Sequence, residues 1–250
     1  MKLELNRYLK RSLKNLYWRQ GQRVLAEVQK PVLDLAGELD VDSLKRRVPF
    51  LLRGEPVEKY QREMWVKGGS LFALDTVKRI HKVLRKQEED IDFWEDYFRR
   101  YVNERSLLKT GQILTTQEEI INNLIDGILE EGFQNGQGIP EIQRAMRGKL
   151  TEALTDINKY QAERIARTEI NGAANTGSFE GAWQTGVALG KEWITSGLKG
   201  IRESHLYYES LGNVKMDYQY NTGLRFPGES TGPAEEIINC RCVIGYIVDE

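Results

Sequence analysis

The sequence has only two cysteines among its 250 residues, Cys240 and Cys242. That is too few for the disulfide framework of a small secreted protein, so we expect synthesis in a reducing cytosol. The sequence also lacks an apolar run of about 18 residues, the length that a membrane-spanning helix needs. Its basic N-terminus contains no continuous apolar segment. We therefore predict no membrane span, no membrane partner and no secretory signal.

Familiar catalytic motifs are missing as well: we find no Walker loop, no GxSxG, no HExxH and no dinucleotide-binding fingerprint. Histidine occurs only twice. His205 could pair with Cys240 or Cys242 as a thiol catalyst, or the three could bind zinc. The Cys-x-Cys spacing is shorter than the usual zinc spacing, and no fourth ligand is evident. We predict no enzyme and no cofactor, and we keep these three residues as the alternative zinc or thiol site.

Charge is nearly balanced overall but unevenly distributed. Residues 1–110 contain 24 Lys and Arg against 17 Asp and Glu, whereas residues 111–250 contain 12 against 20. The excess is greatest at the start, where Glu4 is the only acidic residue among Lys2, Arg7, Lys10, Arg11, Lys14, Arg19 and Arg23. This asymmetry indicates an anionic partner, either nucleic acid or an acidic protein surface, and a solvated helix face is the simpler alternative.

Apolar residues recur at helical spacing through the first two-thirds of the chain. Pro31 predicts a break in the first helix. The stretches "RGEP" (53–56) and "KGGS" (67–70) predict two further breaks, and residues 71–108 predict a long helical stretch. A capping box at Thr115 and Glu118 predicts a helix start.

A longer helix is expected from about Leu150, after a glycine-rich turn and a helix that begins near Pro140. Small residues are frequent in it, which indicates close approach of another backbone. Arg167, Asn171 and Asn175 are spaced by four and therefore share one face.

The last third changes character, with short alternating segments between glycines. The final one, 239–248, predicts a strand in which Cys240 and Cys242 share a mostly apolar face and Arg241 lies on the other. Same-face neighbours are separated by about 6.6 Å along a strand, which disfavours a disulfide between them. We predict an α+β fold: a mostly helical N-terminal two-thirds, then a small C-terminal α+β domain with short strands.

Seven short segments resemble, in order, the C-terminal head-morphogenesis domain of tailed-phage minor head proteins, the family of phage Mu protein F and the phage SPP1 minor head protein. They are "ARTEI" (166–170), "AANTG" (173–177), Gly186-Val187, "KEW" (191–193), "RESH" (202–205), "RFPG" (225–228) and "NCRC" (239–242). The resemblance covers about residues 112–248. It divides the chain into a helical, charge-rich region at 1–110 and the domain at 111–250, with helices at 115–187 and a strand-containing unit at 188–250.

The resemblance implies a minor head protein of a tailed phage or prophage. Such proteins associate with the portal and act in head morphogenesis, DNA packaging or genome ejection. The expected location is the virion head near the portal, and the host cytoplasm during assembly. Partners would be the portal protein, then scaffold or major capsid protein, and double-stranded DNA bound without sequence preference. Candidate contacts with portal or DNA are Arg7, Lys10, Arg11, Lys14, Trp18 and Arg19.

Within the resembling segments we assign a structural role to Arg167, Glu169, Asn175, Trp193, Arg202, His205, Cys240, Arg241 and Cys242. The chain departs from the family where an Asp follows the tryptophan strand, because Gly197 or a neighbour stands there. A site built from Asp, His and Cys would lack one member, whereas a role of Arg202 and His205 in tying a turn to the last strand would survive. The alternatives are a nonspecific DNA-binding protein delivered in the virion, and a zinc- or thiol-dependent enzyme or toxin-like domain.

Overall fold

Residues 2–4, 6–84, 91–103, 106–186 and 189–248 are described by a computed structural model. The fold is α+β, as predicted, with a long helical N-terminal part and a small antiparallel sheet. The helices are α1 (Arg7–Leu35), α2 (Val41–Leu51), α3 (Glu55–Leu84), α4 (Ile91–Asn103), α5 (Ser106–Gln134), α6 (Ile139–Gln184), α7 (Glu203–Ser210) and α8 (Ala234–Ile237). Over the described ranges, none has the length and apolarity needed to cross a bilayer.

Two predicted breaks are wrong. Pro31 lies inside α1, which continues to Leu35. The proline is close to the helix end, so few residues have to continue the helix beyond it. Gly68 and Gly69 lie inside α3. Glycine is needed at position 69 because a side chain there would collide with the ring of Phe98. These glycines serve close packing rather than a turn, whereas "RGEP" does separate α2 from α3.

Two predicted helix starts are also corrected. Thr115 lies inside α5, which begins at Ser106, so no capping box forms there. The long helix does not begin near Leu150, because α6 runs without interruption from Ile139 to Gln184. Pro140 occupies its first turn, where a missing backbone N–H costs nothing. The predicted stretch 71–108 corresponds to the end of α3, α4 and the start of α5, with 85–90 and 104–105 outside the described residues.

The sheet has four antiparallel strands in the order β1-β4-β2-β3. They are β1 (Lys2–Glu4), β2 (Leu189–Ile194), β3 (Val214–Lys215) and β4 (Val243–Val248). The N-terminal strand was not predicted, because three residues carry no periodicity to detect. β4 is shorter than predicted: it begins at Val243, after both cysteines. The predicted helical region 115–187 ends at α6, and Val187 lies outside the described residues.

The chain forms two compact units. The described residues within 1–18, 62–103 and 164–250 form unit 1, and those within 19–61 and 104–163 form unit 2. These units do not follow the predicted division at residue 110, because α1, α3 and α6 each contribute residues to both.

Unit 2 has an aliphatic core. Most of its buried side chains come from α1, α2, α5 and α6, with Val57 from α3, and most are Val, Leu or Ile, among them Val32, Leu44, Ile125 and Leu150. Three buried amides form a bonded cluster in this unit: Gln29 donates to Gln117 (2.7 Å) and Asn158 (2.9 Å), and Asn158 donates back to Gln29.

Unit 1 has a more aromatic and polar interior. Trp193, Tyr208 and Tyr220 pack with both cysteines beside the sheet. Trp94 and Phe98 of α4 pack on Ala73 and Val77 of α3. This unit contains all seven of the resembling segments apart from Val187, and it is where the candidate site lies.

Candidate functional site

The polar face predicted on the long helix exists and lies against the segment before β4. Arg167 of α6 donates through Nη1 to the side-chain oxygen of Asn239. Asn175 donates to the carbonyl of Cys242 (3.2 Å) and accepts from the backbone N–H of Ile244 (3.0 Å). Arg167 and Asn175, eight residues apart on α6, therefore bind the two ends of the segment 239–244.

The segment 239–242 turns sharply before the strand begins. Asn239 has φ of 62°, a left-handed conformation that Asn tolerates better than most residues. Its backbone N–H donates to Thr168 Oγ1 (2.9 Å), and the N–H of Cys240 donates to the carbonyl of Ile237 (3.2 Å). This turn explains why the strand cannot start at residue 239, and it presents both cysteines on the same side.

Both thiols point inward, and Arg241 points to solvent, as predicted. Cys240 and Cys242 are 1% and 3% exposed, and neither forms a disulfide. His205 of α7 is 1% exposed and directs Nδ1 at both sulfurs, 3.8 Å from Cys240 Sγ and 3.4 Å from Cys242 Sγ. The three ligand atoms lie within 4.8 Å of one another. We call these three residues the Cys2His cluster.

A carboxylate stands on the other side of the imidazole. Glu236 Oε2 of α8 is 2.8 Å from His205 Nε2, although it lies off the direction in which Nε2 would donate a hydrogen bond. Ser204 bonds to both oxygens of that carboxylate, at 3.0 and 3.1 Å. Ser204, the residue before His205 in the chain, thus holds Glu236 beside the histidine.

The two neighbouring thiols shift each other's pKa in opposite directions. A hydrogen bond from Cys242, together with His205, lowers the pKa of Cys240 below that of an ordinary thiol, and burial opposes this effect. The same hydrogen bond, with burial, raises the pKa of Cys242.

Lys10 of α1 reaches the same place. Its Nζ donates to Asn171 Oδ1 (2.8 Å) and approaches the carbonyl of Arg241 (3.4 Å). Burial lowers the pKa of Lys10 to about 8, and the nearby thiols partly offset this. Lys10 is half-buried and bonded within unit 1, whereas its basic neighbours Arg7 and Arg11 are exposed.

The other basic candidates are distributed differently. Tyr8, between Lys10 and Arg7 on α1, is 83% exposed, whereas Tyr17 is buried. Lys14 is half-buried and lies 6.0 Å from the ring centre of Trp18. Arg19 is exposed and belongs to unit 2. The six residues predicted to contact portal or DNA therefore differ in exposure: Arg7, Arg11 and Arg19 are exposed, and the other three are half-buried.

The remaining resembling residues form part of the same interior. Arg202 donates through Nη2 to the carbonyl of Ile238 (2.7 Å), which ties the start of α7 to the turn before β4. The Trp193 ring lies 4.8 Å from that of His205. Glu169 accepts from Trp65 Nε1 at 2.7 Å, on α3. Seven of the nine residues assigned a structural role are buried, half-buried or bonded around the turn 239–242; Glu169 is bonded elsewhere and Arg241 is exposed.

Sequence reasoning missed Glu236 and the interior role of Lys10. Neither has a local signal, because each meets the Cys2His cluster only through the tertiary fold. It also missed Lys191, a fully buried lysine of β2 whose Nζ donates to the carbonyls of Met216 (2.6 Å) and Tyr218 (2.7 Å). Nothing in the local sequence "KEW" (191–193) indicates that its lysine is buried.

Comparison of the chain with protein-family models, with curated protein sequences and with solved structures found no match in any of the three. The resemblance to phage minor head proteins therefore stays a prediction based on the quoted segments.

Proposed function

We propose that the protein is a minor head protein of a tailed phage or prophage. It would associate with the portal, reside in the virion head near it, and act in head morphogenesis, DNA packaging or genome ejection. During assembly it would be present in the host cytoplasm. The role we propose is structural rather than enzymatic.

One observation carries this proposal: segments that are far apart in the sequence, and that carry the resemblance, meet around one short turn. "ARTEI" supplies Arg167 and Thr168 to Asn239, "AANTG" supplies Asn175 to residues 242 and 244, and "RESH" supplies Arg202 to residue 238. Residues chosen only for their order along the chain would have no reason to be in mutual contact. Their convergence supports the view that the segments belong to one folded module.

Burial supports a structural role for the Cys2His cluster. Each of its side chains is at most 3% exposed, so a substrate has no access to the thiols in this arrangement. Catalytic cysteines are partly exposed as a rule, because they must meet their substrate. The bonds of Arg202 and Asn175 instead fix the backbone on both sides of the cysteines.

The exposed start of α1 is the surface that we propose for an acidic partner. Arg7 and Arg11 are one helical turn apart, and Tyr8 lies beside them with most of its ring in water. Arginine and tyrosine are enriched where protein interfaces gain most of their energy. Lys10 anchors this part of the helix to Asn171, which holds the exposed arginines on a fixed support.

The test is co-expression of the protein with the portal protein from the same genome, followed by purification through a tag on the portal. We expect the protein to co-purify. The double variant Arg7→Glu/Arg11→Glu should reduce the co-purified amount at least about tenfold, which corresponds to 1.4 kcal/mol of binding free energy.

The matched control is Lys199→Glu/Lys215→Glu, which makes the same charge change on exposed residues of the same unit. It should co-purify like the wild type. If the wild-type protein neither binds the portal nor occurs in purified virions, the proposal is wrong. If it instead binds unrelated duplex DNA with a strong dependence on salt, the DNA-binding alternative replaces it.

A further inference from the structure

We propose that the Cys2His cluster binds a zinc ion through His205 Nδ1 and the sulfurs of Cys240 and Cys242. In a tetrahedral site with Zn–S of about 2.3 Å and Zn–N of about 2.0–2.1 Å, nitrogen and sulfur ligands stand about 3.5 Å apart. The observed Nδ1–Sγ separations, 3.4 and 3.8 Å, lie on either side of this value. All three ligand atoms lie within 4.8 Å of one another, so a modest adjustment of the side chains would bring each of them to zinc distance from one point.

The short Cys-x-Cys spacing is compatible with this site because of the turn at Asn239. Its left-handed backbone and the bond from Cys240 N–H to the Ile237 carbonyl keep residues 240–242 out of the regular strand. Both side chains consequently enter the same interior beside α7. In a continuous strand the two residues would be separated by about 6.6 Å along the strand, with parallel side-chain directions.

Glu236 completes the pattern on the far side of the histidine. Histidines that bind metal through one ring nitrogen commonly direct the other at a carboxylate, which fixes the tautomer and the ring orientation. Here Glu236 lies 2.8 Å from Nε2, and Ser204 holds its two oxygens. A small rotation of the ring would align Nε2 for donation and leave the Nδ1 lone pair directed at the metal position.

Hydrogen bonds alone are a poor reason to bury these groups. Thiols are weak donors and weak acceptors, so they compensate little for the desolvation of an imidazole. One zinc ion and two thiolates carry no net charge, which suits a site walled by the rings of Trp193 and Tyr208. Cysteine and histidine are the ligands that zinc prefers.

Three protein ligands leave one tetrahedral position for a solvent molecule. Among the described His, Cys, Asp and Glu residues, no fourth joins the group within ligand distance. The backbone around the site is bonded on both sides, by Arg202 to Ile238 and by Asn175 to Cys242, so the ligands need little rearrangement to close on the ion. Binding would accompany folding, because α7 and the turn come from separate parts of the chain.

The test is the metal content of the full-length protein purified from zinc-supplemented cells, with cobalt substitution as a second measurement. We expect about one zinc per chain, and in the cobalt form a sulfur-to-cobalt charge-transfer band together with the intense visible bands of a tetrahedral ion. Removal of zinc with a chelator should lower the thermal unfolding midpoint.

Cys240→Ser, Cys242→Ser and His205→Gln should each lose the ion and the charge-transfer band. The matched control is His81→Gln, which changes the other histidine, on α3, and should retain both. Circular dichroism of each variant separates loss of metal from loss of fold.

Folded wild-type protein with less than about a tenth of an equivalent of zinc, and without the cobalt–sulfur band, overturns the proposal whatever the variants do. Metal that remains in folded Cys240→Ser, Cys242→Ser and His205→Gln also overturns it, because it would be bound elsewhere. Neither result depends on portal binding, so failure of this inference is distinct from failure of the proposed function.

Discussion

Units 1 and 2 contain segments of the same three long helices but stabilise them in different ways. Unit 2 packs aliphatic side chains and buries one cluster of three amides. Unit 1 buries a lysine, a histidine, two thiols and several side chains bonded to backbone groups. Unit 2 therefore depends mainly on filled volume, which tolerates substitution, whereas unit 1 depends on specific pairs that have few replacements.

The largest expected effect comes from a glycine pair on α6. Gly177→Ala should lower the free energy of unfolding by about 3 kcal/mol, because the new Cβ would collide with the backbone of Gly69. Gly148→Ala, on the same helix but in unit 2, should instead raise it by about 0.5–1 kcal/mol, because nothing lies within 4 Å of the added carbon. Urea unfolding followed by circular dichroism measures both. Equal stability of the two variants would remove the proposed difference between the units.

Buried amides provide the second contrast. Asn175→Ala should cost about 2–3 kcal/mol, because it leaves the N–H of Ile244 and the carbonyl of Cys242 unpaired inside the protein. The triple variant Gln29→Leu/Gln117→Leu/Asn158→Leu in unit 2 should stay within about 1 kcal/mol of the wild type, since all partners are removed together. A triple variant less stable than Asn175→Ala would show that unit 2 also depends on its polar group.

We expect the stability of unit 1 to depend on pH, because Lys191 is fully buried in it. Burial, assisted by Arg225, lowers its pKa from 10.5 to about 8, and Glu229 and Asp217 oppose this. Between pH 8 and 10 Lys191 is therefore more fully protonated in the unfolded chain than in the folded one, so its contribution to the free energy of unfolding rises with pH. We expect roughly 1–3 kcal/mol from Lys191 over this window, with Lys10 contributing in the same direction.

Lys191→Met should remove the contribution of Lys191 from urea unfolding measured between pH 8 and 10. The exposed Lys215→Met is the control and should keep the wild-type slope. A slope that is the same in Lys191→Met and in the wild type would mean that Lys191 does not titrate in this range.

The smallest effect separates two neighbours on α1. Lys10→Ala should cost about 1 kcal/mol because its bond to Asn171 is lost, whereas the exposed Arg11→Ala should change stability by less than about 0.5 kcal/mol. Thermal unfolding of both variants tests this. Equal values would mean that Lys10 is no more anchored than the residue beside it.

Local patterns predicted much of this fold and part of its site. Helical periodicity in the first two-thirds of the chain and the face shared by Arg167 and Asn175 are predicted correctly, because each depends only on spacing. Pro31 and the glycines at 68 and 69 were misread, since what they do is decided by position in a helix and by the neighbouring Phe98. Glu236 could not be found, because its relation to His205 exists only after α8 has packed on α7.

The position of β4 in the sheet has a consequence for the order of folding. β4 lies between β1 and β2, and it pairs residues 245–247 with residues 2–4. All of unit 2 has been synthesised by residue 163, so it can form while the strands beyond are still being made. In unit 1, by contrast, residues 2–4 have no strand to pair with until residues 245–247 have been synthesised. Translation therefore imposes a delay between the completion of unit 2 and that of unit 1.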